Sequence, residues 1–116
     1  MNRQIHDLIN RIEAAGMKNV QLLALITDSS YEVIFYAGYN GKMRQSNDLA
    51  ESGVLSLGFV DEVYTAVADA VREDDKFHPA QMNIVKVSGK NITTEYDDKS
   101  CSVYSWKKNW KESLGL

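Results

Sequence analysis

Three side chains of this protein are of types that do nucleophilic or metal chemistry: His6, His78 and Cys101, its two histidines and its one cysteine. A zinc site needs three or four nitrogen, sulfur or oxygen ligands in a tetrahedron, and short Cys or His spacings usually supply them. His6 and His78 are far apart and neither has such a neighbour, so the sequence implies no metal and no cofactor. A Cys–His–Asp relay can be assembled on paper, but nucleophilic use of Cys101 needs a positioned base, and no nucleophile signature surrounds it. Cys101 therefore reads as a small packing residue. Gly38-Tyr39-Asn40-Gly41-Lys42 holds two glycines and a lysine. A phosphate loop needs a longer glycine-rich turn ending in Lys-Ser or Lys-Thr and running into a helix. Here Lys42 opens another strand, and Asn40-Gly41 is a hairpin turn.

Recognition chemistry remains. Two acidic clusters, Glu73-Asp74-Asp75 and Glu95 with Asp97-Asp98, sit where elements are expected to end. Such clusters are commonly solvated surface. The other reading is an acidic edge that meets a basic groove, and acids at a helix C-terminus oppose its dipole, a small cost that favours a use for them. Tyr and Trp are favoured interface residues, and Tyr36 and Tyr39 flank the exposed hairpin. Trp106 and Trp110, four apart beside Lys107, Lys108 and Lys111, are expected to lay one apolar stripe on a sheet with the lysines outward. The expected contact residues are thus Tyr36, Tyr39, Asp74, Asp75, Asp97 and Asp98.

These side chains must be positioned by alternating helices and strands. Ile5, Leu8, Ile9 and Ile12 mark an amphipathic helix over about residues 2 to 15, closed by Gly16. Val20 to Thr27 is an apolar run of strand length, expected at the sheet centre with most of both faces covered. Asp28-Ser29-Ser30 turns the chain into Tyr31–Tyr36, rich in aromatic and β-branched residues, and the two runs pair as a hairpin. A short polar third strand, Lys42 to Ser46, suits a sheet edge. Residues 47 to 58 read as a loop. Phe59, Val60, Val63, Tyr64, Val67 and Val71 mark a longer helix to about Glu73, and Pro79 fixes its exit. Met82–Val87 and Asn91–Tyr96 form a second hairpin through Ser88-Gly89-Lys90. The tail fits a strand or a helix, and helix is favoured from about Trp106. The predicted fold is α+β in the order α-β-β-β-α-β-β-α: an antiparallel sheet of about five strands, two main helices and a C-terminal helical segment, in a single domain over residues 1–116.

Composition bounds what such a domain can bind. With 116 residues, 44% hydrophobic and 25% charged, the chain is of ordinary globular type. Its net charge of −3 gives no electrostatic footprint for a polyanion, so nucleic acid is not the expected partner. One cysteine excludes an intramolecular disulfide scaffold. No run approaches the roughly 18 apolar residues that span a bilayer, and cytoplasmic residence is expected.

The order of elements, the end of the second hairpin at Thr93-Thr94-Glu95-Tyr96-Asp97-Asp98, then Trp106-Lys107 and Leu114-Gly115, resemble the YezG-like family of bacterial antitoxin immunity proteins. More broadly the chain is similar to the immunity proteins of contact-dependent growth inhibition. The resemblance implies a small cytoplasmic protein that is not an enzyme and that neutralises a cognate toxin domain, often a nuclease, by occluding its active site. Asp74, Asp75, Asp97 and Asp98 would then stand in for a nucleic-acid backbone in a basic groove. A second reading is a homodimeric structural or regulatory module whose polar third strand pairs across a two-fold axis. A third is a small hydrolase built on Cys101.

Overall fold

The computed structural model describes residues 1–98 and 101–116. Helix α1 (Asn2–Ala14) leads into strands β1 (Lys18–Ile26), β2 (Tyr31–Tyr39) and β3 (Lys42–Gln45). Helices α2 (Ser46–Glu51) and α3 (Leu57–Arg72) follow, then β4 (Met82–Ser88), β5 (Asn91–Asp97) and α4 (Val103–Ser113). The strands form one antiparallel sheet in the order β3-β2-β1-β4-β5. The predicted α+β class and element order are those of the structure.

β1 lies at the centre, and alternation along it divides the apolar residues between two cores. Val20, Leu22, Ala24 and Ile26 face the layer of α1 and α3, joining Val33, Phe35, Val85 and Val87 in one cluster. Leu23 and Leu25 face the other way, with Ile34, Tyr36, Met82 and Ile84, and Trp110 of α4 closes this second cluster. The register of Leu22 opposite Phe35 and Val87, and of Leu23 opposite Ile34 and Lys86, keeps each set on its own face. Asn40 and Gly41 both take positive φ, 51° and 79°, as a two-residue hairpin of this kind requires.

Three stretches depart from the sequence reading. Most of α2, a helix of 6 residues that begins at Ser46, falls within the expected loop at 47–58. Such a helix is too short for periodicity to reveal; side chains secure it instead. Ser46, fully buried, donates to the Tyr64 hydroxyl on α3, and that hydroxyl donates to Asn47 Oδ1 at 3.1 Å. Burial lifts the Tyr64 hydroxyl above its ordinary pKa, though the bond from Ser46 pulls the other way, so it stays a neutral donor. Helix α3 begins at Leu57, before Phe59, because the Ser56 side chain accepts from Phe59 N at 3.1 Å. In the same way Ser102 accepts from Ser105 N at 3.1 Å, which starts α4 at Val103 rather than Trp106.

The return from α3 to β4 turns on Asn83, 1% exposed. Its Oδ1 accepts from His78 N at 2.9 Å, and its Nδ2 donates to the carbonyls of His78, Gln81 and Ile26. One side chain thus closes the Pro79 loop and ties it to β1.

α4 is held by few residues. Trp110 is 5% exposed and packs on Tyr36 with ring centroids 5.7 Å apart, while Trp106 Nε1 donates to Asp97 Oδ2 at 2.8 Å. Removing a buried tryptophan this central costs about 3–5 kcal/mol, a large part of a small domain's stability. Trp110→Ala is therefore expected to lower the urea midpoint by that equivalent. Tyr104→Ala, at a side chain 73% exposed on the same helix, should stay within about 0.5 kcal/mol.

Candidate partner-binding surface

The residues first picked out for chemistry stand on separate elements. His6 Nε2 donates to the Lys90 carbonyl at 2.9 Å, His78 packs edge-on to Tyr96, and Cys101 is exposed just before α4. Among the described residues no group of three His, Cys, Asp or Glu is placed to hold a metal ion, and no helix is long and apolar enough to cross a membrane.

The expected contact residues scatter as well. Tyr36 is not a surface residue: it is 8% exposed, because alternation along β2 turns it under α4. Tyr39 is half-buried against the other core. Asp97 lies beneath α4, 8% exposed and accepting from Trp106, so its carboxylate is spent on the fold. Asp74 Oδ2 accepts from Lys76 N at 3.1 Å, and its Oδ1 lies 3.6 Å from the Met1 amine. Asp75 and Asp98 are exposed.

The structure instead collects acid along α2 and α3. Residues 46–75 contain Asp48, Glu51, Asp61, Glu62, Asp69, Glu73, Asp74 and Asp75 against Arg72 alone, a net of −7, so with a chain total of −3 the rest is positive by four. Arg72 does not offset its neighbours outward. Its Nε and Nη2 donate to the carbonyls of Thr27 and Ser30, both at 3.0 Å, and its guanidinium lies over the Tyr31 ring. The one cation of the segment is thus drawn to the β1–β2 turn.

Helical spacing then organises the acids. Val60, Val63, Val67 and Val71 point into the core, which turns Asp61, Glu62, Asp69 and Glu73 to solvent. Between α1 and α3 runs a shallow groove of about 340 Å³. Ala66 and Ala70 keep its floor low, and Asp7, Asp69 and Glu73 stand around it. Arg11 bridges one part of it to Glu62, with Nη2 2.8 Å from Oε2. In the sequence, the signals available for Asp69 and Glu73 were the charge balance of the segment and their positions off the valine stripe of α3.

No signal there joined Asp7 to them, since its place beside α3 arises from packing. Chemically the groove is suited to a cationic side chain: it offers carboxylates from two helices and little bulk beneath. The opposite layer has reversed polarity. There a cleft of about 350 Å³ between α4 and the sheet is lined by Tyr36, Tyr104, Lys108 and Lys111, among others. No family model, curated protein sequence or solved structure matches the chain.

The Arg11–Glu62 pair is open to solvent and carries a pH signature. The hydrogen bond from Arg11, then its charge, holds the Glu62 carboxyl below its ordinary pKa. Because the folded value is lowered, the pair's contribution is present above the ordinary glutamate range and lost as pH falls through the lowered value. Carboxyl-resolved NMR titration should place the Glu62 midpoint below 4.5, and Arg11→Ala should move it back up towards that value.

Proposed function

We propose that this chain is a toxin-neutralising immunity protein, which binds the catalytic domain of a cognate bacterial toxin and blocks access to it. The observation that carries the reading is the groove between α1 and α3, with Asp7, Asp69 and Glu73 around it and its α3 side in a segment of net charge −7 whose single arginine is turned to the β1–β2 turn. The family resemblance of the hairpin end and the tail points the same way. A nuclease holds its substrate with a basic cleft, and a carboxylate-lined surface competes for that cleft without any reactive group of its own.

Asp69 and Glu73 are the central contacts of this reading, with Asp7 of α1 beside them. Asp75 extends the surface past the end of α3. Asp97 has no direct part in it, being under α4. Charge of one sign spread over a face acts over about a Debye length, roughly 8 Å at physiological salt, so it speeds encounter more than it holds the complex.

The test is co-expression with the toxin domain encoded beside the gene for this protein, followed by binding kinetics on the purified pair. Growth should be restored. The combined change Asp7→Lys, Asp69→Lys and Glu73→Lys, all at exposed positions, should keep the circular dichroism and melting temperature of the parent while slowing association by about a hundredfold at low salt. Failure to restore growth, or an association rate indifferent to the reversal, would sink the proposal.

A further inference from the structure

The sheet has two outer edges, and they are unlike. β3 is 4 residues long and carries Lys42 and Arg44. A two-fold axis through an antiparallel strand pair sets some residue against its own copy, since paired residues must share a face of the sheet. Centred on Met43, such an axis places Lys42 opposite Arg44 of the second copy. Centred on Arg44, it places Arg44 opposite itself. Like charges directly opposite one another destabilise a strand pair, so β3 is guarded against its own copy.

β5 has none of these guards. It is 7 residues long, and its pairing with β4 runs without a register shift from Asn91 opposite Ser88 to Asp97 opposite Met82. It contains no proline, and Glu95 is its one charge between Asn91 and Tyr96. Thr93, Thr94 and Glu95 are exposed, and Tyr96 is a large ring left 40% exposed.

We propose that β5 is a self-association edge, joining two copies of this chain through an antiparallel β5–β5 pair centred on Thr94. Only this centre pairs all seven residues of the strand. On the α1 side it sets Ile92 against Tyr96 of the second copy, twice over, an aliphatic–aromatic pair of the kind that stabilises sheets. The same face carries a cleft of about 470 Å³ along Ile92, Thr94 and Tyr96, which the pairing brings against its symmetry mate. On the α4 side Glu95 meets Thr93, and Asp97 meets Asn91, so no like charges stand directly opposite. Glu95 is already held by Lys86, 3.4 Å away. The two five-stranded sheets become one, and the acidic groove stays uncovered because it lies on the outer side of the helix layer.

Sedimentation equilibrium on the full chain tests this directly. The expected species at high concentration has twice the mass of the 13.1 kDa chain. Thr94→Lys and Thr94→Glu each put like charges on the axis at an exposed position, and each should weaken the dimer about tenfold while leaving the monomer's circular dichroism unchanged. An equimolar mixture of the two should recover association, as expected of a residue that stands opposite its own copy. Asp69→Lys should leave the dimer intact, separating this inference from the toxin-binding reading. A chain monomeric up to about 1 mM, a dimer indifferent to Thr94→Lys, or no recovery in the mixture would overturn it.

Discussion

The structure depends on one strand being buried on both faces. From Val20 to Ile26, β1 exposes only Gln21 to any extent, and its side chains point alternately to opposite sides of the sheet. Each buried aliphatic side chain is worth about 1.5–3 kcal/mol, but only if something apolar lies over it. One covering layer would leave Leu23 and Leu25 in water. Helices are therefore required on both sides, and β1 must sit inside the sheet where neighbours satisfy both of its backbone edges. The position of β4 beside β1, reached by the chain passing through α2 and α3, follows from that requirement.

The two layers differ in how they are held. α1 and α3 bury long aliphatic stripes on a broad core, so their outer faces are free to carry charge without much cost to stability. α4 covers a smaller area through Trp110 and orients itself with polar contacts: Trp106 to Asp97, Lys107 to Glu32 at 2.9 Å, and Lys86 over the Trp106 ring. That difference explains the polarity of the molecule. Acids gather on the well-anchored layer, whereas Lys107 of α4 helps to seat that helix.

Much of this was legible in the chain. Asn40-Gly41 and Gly89 demanded turns because of the backbone angles those residues allow, and the long valine-rich stripe of α3 has a period no strand shares. The six residues of α2 were not legible, since one and a half turns carry no period and Ser46 is buried only because Tyr64 reaches it from α3. Tyr36 shows the same limit. In a strand apolar on both faces, alternation says that neighbours part company but not which side a distant tryptophan will cover.

The sequence by itself determined the elements other than α2, their order and the antiparallel sheet, because periodicity and turn chemistry are local properties of a few adjacent residues. It also determined that acid outweighs base. Tertiary structure alone decided where that acid counts: packing brought Asp7 of α1 beside Asp69 and Glu73, turned Arg72 inward to the Thr27 carbonyl, and drew Asp97 under α4. Those outcomes depend on contacts between residues remote in sequence, whose geometry is settled only when both cores close.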